Sequence, residues 1–430
     1  MSDKPKKEKN TKKKRSSSTL KRIRKFLMFL LSLVAVAMAI LVLYMLKNGS
    51  TDPKISEGVT KRLATEETAA VTEATEETEP VDPLLYAAQQ KLESMTLEEK
   101  VYQMFFVTHR ELTGQYYASA ADETTRAALE EKPVGGVVFD GDNAFSGEQL
   151  TAMIADLKSY SDIPLLIGVE EEGGIEGYRV LQSIGVTNRY DPMGVYGGEY
   201  ATDRVYEIGS EIGSAISGIG FNIDLAPVAD TLVNQFNTEI GMRAFSADPQ
   251  VTAELVSQMV KGLHSGGCLA CLKYFPGLSA ANTDSRYGTP VSNQTIEEVR
   301  ENLLPFTTGV ANGADVIMVS HLCLPNIVGE NRPADLSAEI VNGLLRGELG
   351  YAGVVMTDSF QKGAISYNYD AGEAAVAAIQ AGCDVIYMPG DLDKAAEAVL
   401  DAIDGGYLSE ERINESVLRI LLLKLSNELE

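Results

Sequence analysis

Nine side chains able to do acid–base or nucleophilic chemistry stand directly after short apolar runs: His109, Asp140, Glu170 to Glu172, Asp224, Lys273, His321 and Asp358. A carboxylate at such a boundary is costly to desolvate unless it is paired or used. Asp358, after Val354–Thr357, is one acid whose place needs such a reason, and so a candidate for carboxylate chemistry. The set is rich in acids, holds one lysine, and lacks a His-x-His or other compact ligand group, so neither metal nor cofactor is expected. Cys268 and Cys271 form a C-x-x-C inside an apolar run and have no second ligand pair, which reads as buried small hydrophobes. With Cys323 and Cys383 they make no disulfide scaffold.

Eight elements must position these groups. Continuous apolar runs occur at Met104–Thr108, Gly135–Phe139, Leu165–Val169, Phe221–Leu225, Cys268–Lys273, Val316–Ser320, Val354–Thr357 and Val385–Met388. Runs of this kind suit parallel strands covered on both faces. Helix starts lie between them: Thr96-Leu-Glu-Glu99 and Ser146-Gly-Glu-Gln149 read as capping boxes, and Ser337 precedes another helical run. A last helix follows Ser409, with Ile413, Val417 and Ile420 on one face. Eight such units predict an α/β fold, a (β/α)8 TIM-type barrel over residues 83–430. A doubly wound sheet is the alternative, but no Gly-rich dinucleotide turn follows the first strand. In a barrel of this type the nine groups would share the mouth at the C-terminal strand ends.

Charge divides the chain sharply. Residues 1–25 carry +10, whereas the remainder carries −34. A body that acidic excludes nucleic acid as a partner and suits neutral, sugar-like ligands. Residues 26–46 are free of charge, long enough to span a hydrocarbon core, and flanked by Lys/Arg on the N-terminal side. They are expected to be a single-pass transmembrane anchor with a cytoplasmic basic tail; a cleaved signal peptide is the alternative. Residues 47–82, without an aromatic residue and rich in Thr and Glu, read as a disordered stalk holding an extracellular barrel at the cell membrane. Nothing in the sequence sets the oligomeric state.

Four segments together carry more than a generic barrel: Pro164-Leu-Leu-Ile-Gly-Val-Glu-Glu-Glu-Gly-Gly174; Leu225-Ala-Pro-Val-Ala-Asp230 with Ile240-Gly-Met-Arg-Ala-Phe245; Lys273-Tyr-Phe-Pro-Gly277 with Thr283-Asp-Ser-Arg286; and Leu336-Ser-Ala-Glu with Leu344 to Ser359. In this order and spacing they resemble glycoside hydrolase family 3, in its single-domain β-N-acetylglucosaminidase branch. The resemblance covers residues 83–430. It implies retaining, exo-acting hydrolysis of N-acetylglucosamine-containing glycans, in which a carboxylate attacks the anomeric carbon. By motif, Asp358 matches the family nucleophile. Arg243 and Lys273 match positions that hold sugar hydroxyls, Glu170 replaces a sugar-binding aspartate, and His321 has a family counterpart.

Three of the four further departures fall between Tyr274 and Arg286. The branch's general acid/base is a histidine ending Asp-Ser-His, where this chain has Asp284-Ser-Arg286. Tyr274 and Leu278 replace two further histidines, and Ile175 stands in place of an arginine. A guanidinium does not release a proton near neutral pH. Substitutes for the acid are His109, Asp284, or one of the clustered Glu171 and Glu172. Three functions remain open at this level: an active β-N-acetylhexosaminidase on wall or chitin-type glycans, a glycan-binding pseudoenzyme, and a structural wall protein.

Overall fold

All eight predicted strands form. The computed structural model describes residues 82–426 apart from 175, 176, 179 and 187–189. The expected tail, anchor and nearly all of the stalk lie outside the described residues. Among the described residues, no helix is long and apolar enough to cross a membrane. Chain contacts group Pro80–Glu430 as one unit, beginning three residues before the expected start of the barrel.

The strands are β1 (Phe105–Thr108), β2 (Gly136–Val138), β3 (Leu166–Val169), β4 (Ile223–Asp224), β5 (Leu269–Phe275), β6 (Val316–Val319), β7 (Val354–Thr357) and β8 (Ile386–Tyr387). They pair in parallel in the order β8-β1-β2-β3-β4-β5-β6-β7. A parallel bridge between Met356 and Val385 joins the two ends and closes the barrel. Burial of almost every strand residue explains the apolar runs, since interior side chains fill the barrel and outward ones meet the helices. Phe106 projects into space left by two glycines. A Cβ on Gly168 would lie 2.3 Å from its ring, and one on Gly136 would lie 2.7 Å away.

The helices close over this sheet for local reasons. Thr96 and Glu99 make the expected reciprocal cap at Leu97. Ser146 accepts from the Gln149 N–H, but the Gln149 side chain accepts from Phe145 N, so that box is one-sided. Ser337 does not cap: its hydroxyl donates to Glu339, and Glu339–Glu348 winds as a π-helix without a side-chain cap. The helices Thr202–Ser217 and Pro249–Ser265 pack through glycines. A Cβ on Gly262 would sit 2.4 Å from the Tyr206 carbonyl. The closing helix Glu410–Ser426 buries Ile413, Val417 and Ile420 as its spacing predicts. All four cysteines are buried thiols, and burial pushes their pKa values up.

Candidate active site

The C-terminal strand ends surround a cleft of about 290 Å³, bordered by Glu170 from β3, Tyr274 from β5, Asp358 after β7 and Tyr387 from β8. The connecting segments add Glu239, Arg243, Arg286 and Lys362. One wall is a buried charge network. Arg243 donates to both Glu172 oxygens, Nε at 2.7 Å and Nη2 at 2.5 Å, and Lys273 Nζ lies 2.5 Å from the same carboxylate. Burial alone would raise the Glu172 pKa, but the two cations hold it well below the usual carboxylate range. Arg243 also donates to the Tyr274 hydroxyl at 2.7 Å and to the Glu239 carbonyl at 2.8 Å. A register shift between Lys273 and Phe275 accommodates Tyr274 as an extra residue on β5.

Lys273 is fully buried, 3.5 Å from Glu170, and lies behind the cleft rather than on its surface. Glu170 does face the cleft, where it accepts from Tyr387 Oη at 2.9 Å. Glu171 turns inward and accepts from the Val180 and Leu181 N–H groups, which leaves it a structural cap. Asp224 is likewise buried, accepts from Glu171 N, and has its pKa pushed well up by burial. Asp140 lies on the rim and accepts from Asp142 N.

The opposite wall carries Asp358, 2% exposed. Its Oδ2 accepts from Lys362 Nζ at 2.7 Å and its Oδ1 from Ser359 N at 2.7 Å. Burial favours the neutral acid, yet Lys362 and His321, with these hydrogen bonds, bring its pKa below the ordinary value. Lys362 also donates to Glu239 at 3.1 Å. Glu239 in turn accepts from Ser285 N at 2.7 Å and Ser285 Oγ at 2.5 Å. The backbone N–H groups of Gly363 and Ala364 bind the carbonyls of Arg286 and Ser285, tying the 284–286 segment to the Asp358 loop.

Three further expected positions differ besides Lys273, which was expected to hold sugar hydroxyls. His109 was expected at the mouth, but Thr108 and Glu111 cap a short helix there, His109–Thr113. The ring is thereby carried away from the cleft, 1% exposed, with Nε2 3.0 Å from Thr125 Oγ1. His321 lies beneath the cleft with both ring nitrogens engaged, Nδ1 by Asp335 and Nε2 by the Ser359 carbonyl, each at 2.9 Å. It therefore supports the residue after Asp358 rather than facing a ligand. Asp284 is gripped by Arg286, whose Nε and Nη2 donate to both carboxylate oxygens, and its pKa is lowered by that fork. An acid so held is unsuited to protonating a leaving group.

Glu239, Lys362 and Tyr387 were missed as site residues. Lys362 had one visible signal, its place four residues after Asp358. Tyr387 lay within the predicted strand Val385–Met388, near the end that faces the mouth, whereas Glu239 gave no signal, because its approach depends on a distant segment.

Comparison with known proteins fits this architecture. Residues 96–423 match the glycosyl hydrolase family 3 N terminal domain. A beta-hexosaminidase from Stenotrophomonas maltophilia (strain K279a) is 36% identical over 283 residues, spanning 63% of this chain and 81% of that protein. The solved family 3 beta-N-acetylglucosaminidase from Paenibacillus sp. str. FPU-7 superposes with a TM-score of 0.72 at 33% identity. That match covers 78% of this chain and 63% of the other, so this chain spans less than two thirds of its length. A family 3 glycosyl hydrolase from Mycobacterium smegmatis str. MC2 155 gives a TM-score of 0.68 at 26% identity, covering 77% and 98% respectively. The chain belongs to glycosyl hydrolase family 3, as a beta-hexosaminidase-like glycoside hydrolase.

Proposed function

We propose that this chain is a retaining, exo-acting β-N-acetylhexosaminidase-type protein acting on N-acetylglucosamine-containing glycans, held at the cell surface by its N-terminal span. The observation that carries this reading is Asp358: a carboxylate ending a barrel strand, kept ionised, and facing a cleft the size of a small ligand site. In the first step one Asp358 oxygen attacks the anomeric carbon and the glycosidic bond breaks towards the leaving oxygen, forming a glycosyl-enzyme. Glu170, Arg243 and Tyr387 border the space where sugar hydroxyls would lie. Arg243 is largely committed to Glu172 and Tyr274, so it would orient the sugar as part of that network.

Proton donation is the weak step. His109 is turned away, Asp284 is clamped, Glu171 caps backbone, and Glu172 is doubly paired. Catalysis without such an acid loses typically about 10²–10⁴ in rate. A second reading, a glycan-binding pseudoenzyme, draws specific support from the engagement of both Asp358 oxygens, Oδ2 by the Lys362 ammonium and Oδ1 by the Ser359 N–H. Hydrolysis of nitrophenyl β-N-acetylglucosaminide by the full-length protein separates the two. That leaving group departs with little protonation, so release abolished by Asp358→Ala favours the enzyme. Sugar binding without any release would establish the pseudoenzyme.

A further inference from the structure

A second cavity, about 630 Å³, opens beside the cleft, and the two share Thr108, Asp140, Gln361 and Met388 as common wall. It is lined by the segments that follow β1, β2, β7 and β8. Tyr116 and Tyr117 line it while remaining 61% and 67% exposed, although large aromatic side chains ordinarily gain from burial. Tyr117 holds a left-handed backbone at φ 54°, which is uncommon for a bulky residue. Arg110 stacks on the Tyr116 ring at 3.9 Å and braces it. Two presented rings next to a pocket for one sugar offer faces for further pyranose rings, and Gln115 and Asn143 contribute amides to the same cavity.

The charge of this groove narrows the ligand. Glu111, Asp140, Asp142, Asp391 and Asp393 line it against a single cation, Arg110. Lys132 from outside the lining offsets Asp393 alone. A glycan bearing carboxylates would meet like charge there, whereas a neutral or amine-bearing chain would not.

We propose that this groove is the leaving-group subsite of the same site, and that it takes a neutral or amine-bearing β-hexosamine chain in preference to one carrying lactyl or peptide carboxylates. This rests on the reading that the cleft holds the terminal N-acetylglucosamine. Titration calorimetry on the full-length protein tests it with N-acetylglucosamine, chitobiose, chitotetraose, and the N-acetylglucosaminyl-N-acetylmuramic acid disaccharide. Chitotetraose is expected to bind about tenfold tighter than the monosaccharide, an increment of the size a well-placed aromatic contact supplies. Tyr116→Ala with Tyr117→Ala should remove that advantage and leave monosaccharide affinity unchanged. The muramic disaccharide should bind more weakly than chitobiose, and Asp142→Asn with Asp391→Asn should narrow the gap. Equal affinity for monosaccharide and tetraose, or an unaffected tyrosine double variant, overturns the groove while leaving the cleft reading intact. Preference for the muramic disaccharide over chitobiose overturns the assigned ligand class. Absence of binding by every sugar overturns both readings.

Discussion

The two walls of the cleft are built differently. On the β3–β5 side, Glu172, Arg243 and Lys273 form a desolvated cluster in which each charge is satisfied inside the protein. On the β7 side, Asp358 depends on Lys362, and beside it the 284–286 segment ends in an Arg286 side chain 55% exposed. Within the Glu172 cluster a charged partner is costly to remove, because the charge left behind is stranded in low dielectric. On the other side only the Asp284–Arg286 pair stays partly solvated, so it can exchange histidine for arginine at small cost in stability, while Asp358 and Glu239 behind it are as buried as Glu172. The departures from the family pattern at Asp284-Ser-Arg286 therefore fall where the fold is permissive.

That contrast can be broken in order of expected effect. Asp358→Ala should lower release of nitrophenol by at least about 10³-fold, as loss of a nucleophile does, with little change in sugar affinity measured by calorimetry. An unchanged rate would remove Asp358 from the chemistry. Glu172→Ala should cost roughly 3–5 kcal/mol in urea unfolding, because Arg243 and Lys273 then face each other without their shared anion. A loss below about 1 kcal/mol would mean that the two walls do not differ as described.

Arg286→His tests the other wall. It frees Asp284 to orient an imidazole, and should raise hydrolysis of chitobiose, whose leaving group needs a proton, by about 10²-fold. Nitrophenyl hydrolysis should change far less. Equal effects on both substrates would sink the idea that the missing function is proton donation.

The smallest expected effect is a pH shift. Lys362 helps hold the folded-state pKa of Asp358 below its ordinary value. The Asp358 ion pair therefore adds stability above that ordinary value, and the contribution is lost as pH falls through the lowered one. For the same reason the nucleophile stays ionised into acid. Lys362→Met should move the acid limb of the kcat/KM profile upward by about one pH unit; an unmoved limb would show that the pair does not control ionisation.

Much of this was legible because barrel strands are short, apolar on both faces and locally encoded. Each of the eight runs became a strand, with boundaries shifted by one or two residues where hydrogen bonding ended. The local motif around Asp358 likewise placed that acid at a strand end. His109 shows where such reading stops: the same strand-end logic put it in the mouth, but Thr108 and Glu111 start a helix that rotates its ring outward. Glu171 and Glu172 are neighbours in sequence and equal in chemistry, yet one caps backbone and the other binds two cations.

By itself the sequence determined the barrel, the acidic character of its body, and the identity of the strand-end acid, all of which depend on local pattern and composition. Only the tertiary structure decided which carboxylates are consumed internally, that Glu239 reaches Lys362, the ion-pair partner of Asp358, from 123 residues away, and that Tyr116 and Tyr117 stand over an adjoining groove. Those outcomes depend on desolvation and on distances between separate loops, which no local pattern encodes.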